Sequence, residues 1–87
     1  MVHFNEKSFI YEKIEDCSII LDILTQDVFL LNVTSDYIIT ELLEQKSIEK
    51  IINQYFSENQ DTNYDIVYKD FVEIKNTFFE KGILYEH

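Results

Sequence analysis

The stretch Ser18-Ile19-Ile20-Leu21-Asp22-Ile23-Leu24-Thr25-Gln26-Asp27-Val28-Phe29-Leu30-Leu31-Asn32 decides the fold. Ile19 to Leu24 is β-branched and apolar, broken only by Asp22, and Val28 to Leu31 is apolar throughout. Thr25-Gln26-Asp27 between them is a short polar connection of the kind that joins a hairpin. Asn32 ends the run at the mouth of a helix, where its side chain can accept from an unpaired first-turn amide. Upstream, Phe9 to Glu15 alternates, with Ile10 and Ile14 on one face and Glu12 between them, and Glu15 to Ser18 reads as a turn. The simplest topology is a three-stranded antiparallel meander.

The third strand is apolar on both faces. Phe29 and Leu31 point one way, Val28 and Leu30 the other. A sheet with one solvated face alternates polar and apolar residues. The pattern therefore predicts that the second face is covered by the chain's own ends, by a second copy, or by a bound partner.

Downstream of the hairpin the period becomes helical. A helix capped by Asn32 or Thr34 runs to about Glu44, with Ile38, Ile39, Leu42 and Leu43 inward. Ser47 opens a second, with Ile48, Ile51, Ile52, Tyr55 and Phe56 inward. Thr62 and Asp65 have the form of a capping box for a third helix, which runs to Lys81. It stops at Gly82, the only glycine, where a left-handed C-cap is expected with Ile83 making the accompanying contact. Val67, Phe71, Ile74 and Phe78 form its core stripe. Tyr68, Val72, Lys75 and Phe79 form a second stripe about 100° away, which reads equally as a wide core stripe or as one wall of a groove.

Composition bounds the function. Eighty-seven residues, 46% hydrophobic and 15% aromatic, make one domain spanning 1–87 with a modest core that folds without staples. A single Cys17 excludes an internal disulfide and a cysteine-cluster metal site. No secretory pattern opens the sequence, and no apolar run approaches the roughly 20 residues that span a bilayer, so a cytoplasmic location is expected. Seven basic against seventeen acidic residues give a net charge of −10, which repels nucleic acid and acidic membranes.

Catalysis finds no support. His3 and His87 lie at the ends of the sequence, Cys17 sits in a turn without a nearby histidine, and Asp22 and Asp27 flank a hairpin. No phosphate loop, metal-ligand spacing or nucleophile elbow appears. The chain is expected to be no enzyme and to carry neither cofactor nor metal.

Three strands followed by three helices, the last one long, form an α+β arrangement like a rearranged winged helix-turn-helix. Several residues sharpen that likeness. Ile20-Leu21-Asp22, Val28 to Asn32, Thr34-Ser35 with Ile38, Ser47, and Asp70-Phe71 with Phe78 ahead of Gly82-Ile83-Leu84 together resemble the PqqD-like family. These are the precursor-peptide-binding domains of ribosomal peptide natural-product (RiPP) pathways, also called RiPP recognition elements. The resemblance covers roughly residues 9 to 85. This chain has Thr25-Gln26 in the hairpin and Thr34-Ser35 after the Leu-Asn, where the family favours Thr-Gly. It has Ile39 where a bulky aromatic is frequent and Lys75 where leucine is.

The resemblance implies that the chain binds the leader segment of a precursor peptide and presents it to a maturation enzyme, a radical-SAM modifying enzyme or a lasso-type leader protease. The leader would add as a strand to Val28, Phe29, Leu30 and Leu31 and pack on Tyr68, Val72, Lys75 and Phe79. Two other classes stay open: a self-associating structural module that forms a homodimer through the apolar sheet face or edge, and a winged-helix DNA-binding protein, which the charge disfavours.

Overall fold

Strand alternation, side-chain caps and one glycine build the chain in the expected order. The computed structural model describes residues 1–87. Its elements are β1 (Val2–Phe4), β2 (Phe9–Ile14), β3 (Cys17–Asp22), β4 (Val28–Leu31), α1 (Val33–Leu43), α2 (Ile48–Glu58), α3 (Tyr64–Glu80) and β5 (Leu84–Glu86). The sheet β2-β3-β4 is an antiparallel meander in the register Tyr11↔Ile20↔Phe29, and three helices follow it. This is the α+β order read from the sequence.

The strand bounds differ from the reading. β3 is Cys17–Asp22 rather than 19–24. Ile23 and Leu24 fall in the turn, because the Asp22 carboxylate accepts from the Leu24 and Thr25 amides and bends the chain there.

One ribbon was not legible in the sequence. β1 and β5 pair antiparallel, His3 opposite Tyr85, with their rings stacked at 5.4 Å. Gln45 closes the other side of β1, accepting from the Val2 amide at 2.7 Å and donating to the Val2 carbonyl at 2.8 Å. Its carboxamide thus stands in for a neighbouring strand.

A single core holds Phe9, Ile20 and Leu31 from the sheet, Ile38, Ile39 and Leu42 from α1, Ile48, Ile51 and Ile52 from α2, Val67, Phe71 and Phe78 from α3, and Ile83 and Leu84 beyond it. Leu43, expected inward, is exposed: it lies one step past the stripe of Ile38, Ile39 and Leu42. The face of the sheet carrying Ile10 and Ile14 points outward, and Val28 and Leu30 lie on it too. The chain's own ends do not cover this face. Val28 and Leu30 are 59% and 72% exposed, and the end segments are spent on the β1–β5 ribbon.

The caps are local and mostly as read. Asn32 Oδ1 accepts from the Ser35 amide at 2.8 Å, and Ser47 Oγ from Lys50 at 3.2 Å. The cap of α3 is Asn63 rather than Thr62. Its Oδ1 takes the amides of Asp65 and Ile66, whereas the Thr62 hydroxyl donates back to the Asn59 carbonyl and is unavailable to the helix. At the far end Gly82 has φ +75°, and the amides of Gly82 and Ile83 reach the carbonyls of Phe79 and Phe78, the two bonds of a Schellman closure.

Tyr11 ties the sheet to α1. Its hydroxyl donates to the Asp36 carboxylate and lies 3.3 Å from Ser18 Oγ, the one buried polar side chain. Burial first, and the Asp36 hydrogen bond second, hold the Tyr11 phenol above its ordinary value. A raised folded value means the native state keeps its proton longer than the unfolded chain. Tyr11 therefore contributes stability that is complete below the ordinary tyrosine value of 10.0 and is lost as pH climbs through the raised one.

Two outcomes follow for solution measurements. Phe71, 2% exposed and 5.0 Å from the Tyr55 ring, fills the centre of the helical layer, so Phe71→Ala should cost about 3–5 kcal/mol in urea unfolding. A loss under about 1 kcal/mol would contradict the packing. Separately, stability should fall above pH 10 in wild type and fall less steeply in Tyr11→Phe. Tyr37, raised by burial and by the Glu41 charge, keeps some slope in the variant. Urea titrations across that alkaline range compare the two slopes, and equal slopes would remove Tyr11 from the account.

Candidate functional site

The hairpin sets which main-chain groups β4 leaves free. The Asp22 amide donates to the Asp27 carbonyl at 2.9 Å, and the Gln26 amide to the Asp22 carbonyl at 2.8 Å. Thr25 Oγ1 donates to the Asp27 carboxylate at 3.1 Å. Asp22 and Asp27 are thus a hydrogen-bonded pair, and antiparallel ladders alternate. Phe29 and Leu31 therefore turn their main-chain groups toward β3, opposite Ile20 and Ser18. Val28 and Leu30 turn theirs outward, onto an edge that no strand of the chain pairs.

Side chains alternate the other way. Phe29 and Leu31 point inward and line a hollow of about 160 Å³ with Ser35, Ile74, Thr77, Phe78, Lys81 and Ile83. Lys81 Nζ sits 5.0 Å from the Phe29 ring centroid, a cation over an aromatic face. Ile74 also borders a second hollow, of about 330 Å³, with Asn32, Thr34, Tyr55, Asp70, Phe71 and Glu73 among its walls. The two hollows share Ile74 and follow one flank of α3, the first beside β4 and the second beyond it at Asn32; this run is the groove.

The structure divides the residues expected at the site. Phe29 and Leu31 face the groove; Val28 and Leu30 give it their main-chain groups and send their side chains to the outer face. Tyr68, Val72, Lys75 and Phe79 do not meet them. Their stripe is centred about 160° around α3 from the flank of Asp70, Ile74, Thr77 and Lys81 that borders β4. Tyr68 stacks near Tyr64, while Val72 and Phe79 pack against the core. Lys75 opens on a different hollow with Met1, Val2, Gln45 and Glu86. Val72 and Phe79 thus widen the core stripe, Tyr68 stays exposed, and the flank that borders the two hollows is the opposite one. Periodicity assigned Ile74 and Phe78 to the core and gave Asp70, Thr77 and Lys81 no place in either stripe, so it carried no signal for this wall.

Other openings suit a strand less well. The hollow beside Lys75 holds Lys46, whose ammonium is bonded to Glu41, lies 3.3 Å from Glu44, and is held above its ordinary value chiefly by that Glu41 bond. The β1 edge next to it is already closed by Gln45. The edge of β2 is free, but the apolar hollow near it, between Phe4, Tyr11, Ile39 and Leu43, takes only Tyr11 from that strand. No cluster of three or more metal-ligating side chains occurs. No helix is long and apolar enough to cross a membrane.

Gln26 holds φ +64°, a left-handed conformation costing a residue with a Cβ about 1 kcal/mol. It occupies the position where the resembling family carries glycine. Gln26→Gly should therefore raise stability by about 0.5–1 kcal/mol with the β4 edge unchanged, read as a higher urea midpoint at constant slope. A lower midpoint would show that the Gln26 side chain contributes more than its backbone costs.

No family model matches the sequence, and no curated protein matches it. Solved structures do match the fold. A lasso peptide synthetase B1 complexed with its leader peptide superposes with a TM-score of 0.80 at 15% identity, covering 98% of each chain. TbiB1 in complex with the TbiA(beta) leader peptide superposes with a TM-score of 0.76 at 20% identity, covering 97% of this chain and 95% of that one. The chain has the fold of these leader-peptide-bound B1 proteins over essentially its whole length, the fold that the PqqD-like resemblance implied.

Proposed function

We propose that this chain is a RiPP recognition element: it binds the leader segment of a ribosomally made precursor peptide by strand addition to β4 and presents it to a maturation enzyme in the cytoplasm. The observation that carries the reading is the free edge of β4 lying beside an apolar groove. Val28 and Leu30 offer unpaired main-chain N–H and C=O groups there, and the Phe29–Ile74–Phe78 hollow lies alongside for a side chain of the added strand. The likeness to two proteins solved with leader peptides supports a leader peptide as the ligand. The role is one of binding, with the chemistry left to the maturation enzyme. The proposed site consists of Val28–Leu31 with Ile74, Thr77, Phe78 and Lys81; Val72 and Phe79 pack against the core, and Tyr68 and Lys75 lie off this flank.

A second reading draws on the outer sheet face. Val28, Leu30, Ile10 and Ile14 are exposed there, and Leu24 at the hairpin tip is 90% exposed, an apolar surface that a second copy would cover. The net charge of −10 opposes that pairing. Sedimentation with and without peptide separates the two, because strand addition leaves a monomer with a bound peptide.

The probe is a synthetic peptide made from the leader segment of any short precursor found encoded beside this chain. Leu30→Pro removes an N–H that faces the open edge, which an edge strand tolerates, so the variant should fold and lose most peptide affinity. Thr77→Trp should fill the hollow and weaken binding by about tenfold or more, whereas Tyr68→Ala should bind like wild type. Calorimetry with thermal melts reads all three. Wild-type affinity in both Leu30→Pro and Thr77→Trp would place the peptide elsewhere.

A further inference from the structure

The charges along the groove are arranged by sign. Lys81 is the only cation on its walls and stands at the Phe29 end. Asp70 and Glu73 are its anions and stand at the other end, beyond Ile74. None of the three is paired within the chain; the ion pairs are Lys13–Asp36, Lys46–Glu41 and Lys46–Glu44. Both ends also meet a helix terminus of opposing partial charge. The C-terminus of α3 lies by Lys81 and the N-terminus of α1 by Asp70 and Glu73. Each terminus amounts to about half a charge, so the full side-chain charges set the sign.

We infer that the groove selects peptides by charge order as well as by apolar bulk: a basic residue at the Asp70–Glu73 end, an apolar side chain over the Ile74–Phe78 hollow, and an acidic residue at the Lys81 end. The inference rests on strand addition at β4. Helix rise gives the spacing. From Lys81 to Glu73 and Asp70 is about 12 to 17 Å along α3, or about four to five residues of extended peptide. Direction follows from pairing. α3 runs antiparallel to β4, since Lys81 lies by Phe29 and Asp70 lies by Asn32. An added strand that pairs antiparallel with β4, as the rest of the sheet does and as is slightly more stable, enters at the acidic end. The basic residue therefore precedes the acidic one in the peptide. A strongly acidic protein with one lysine in its groove would otherwise repel an acidic peptide; here Lys81 admits a single carboxylate and Asp70 and Glu73 demand a cation upstream.

The test is selection from a random-peptide display library on three immobilised proteins: wild type, Lys81→Glu, and Asp70→Lys combined with Glu73→Lys. All three positions are exposed, so the variants keep the fold. Binders that depend on the free edge are those lost on Leu30→Pro. Among them, wild type should enrich a basic residue, then an apolar one, then an acidic one about four to five residues after the first. Lys81→Glu should lose the acidic preference, and the double variant the basic one. In synthetic peptides, replacing the acidic residue by lysine should weaken wild-type binding about three- to tenfold, an effect that Lys81→Glu removes and that high salt shrinks. Edge-dependent binders with no charge order, or the same peptides chosen by all three proteins, would overturn the charge inference and leave strand addition standing. A selection in which no binder depends on the edge would overturn strand addition itself, and the charge inference with it.

Discussion

Everything at the β4 groove depends on how the chain leaves α3. Gly82 at φ +75° ends the helix in one step, and Asn5 fixes the turn from the other end of the sequence. The Asn5 side chain donates to the Gly82 carbonyl at 3.0 Å, and its amide donates to the Ile83 carbonyl at 2.9 Å. That brings Ile83 and Leu84, each 1% exposed, into the core and starts β5 against β1. Ile83 also closes the groove floor, and Lys81, one residue before the turn, is placed over Phe29. No atom lies within 4 Å of where a Cβ on Gly82 would stand. The requirement for glycine is therefore conformational rather than steric.

What could be read from the sequence is what local chemistry decides. Asn32 and Ser47 cap because a short acceptor beside an open helix start has one obvious use, and Gly82 stops a helix for the same kind of reason. The hairpin followed from a polar break between two apolar runs. The α3 flank facing β4 was not readable, because a helical period defines stripes but does not say which neighbour each stripe meets. Val72 and Phe79 look like surplus surface until they are seen to pack against the core, and Lys75 until it is seen beside β1, β5 and the start of α2. The ribbon itself consists of two three-residue strands, one of them bordered by a glutamine side chain in place of a strand. No period can form in so short a run.

The division of labour in the groove follows from what each kind of group can discriminate. On the proposed reading, main-chain pairing at Val28 and Leu30 would be blind to the sequence of the added strand and would supply affinity that many peptides share. The Phe29–Phe78 hollow would add a preference for apolar bulk, which is also common among peptides. Charge order is the rarer property. Exposed pairs are individually weak, but under the charge-order proposal they would discriminate twice, favouring one order and penalising its reverse.

A free strand edge invites pairing with another copy of the same chain, and proteins with such edges must prevent it. Here the bulk charge acts in that direction. Two copies approaching edge to edge each carry −10, and Asp22 and Asp27 stand at the head of β4 itself. A peptide that is neutral or of mixed sign meets no comparable repulsion. If the groove takes a peptide, the acid excess would have a second role at the site: it would disfavour the wrong strand while Lys81 offers a local attraction to a carboxylate. On this view the acidity of the whole chain and the single cation of the groove are two parts of one selection. Adding positive charge to the surface outside the groove would then raise self-association before it altered peptide choice.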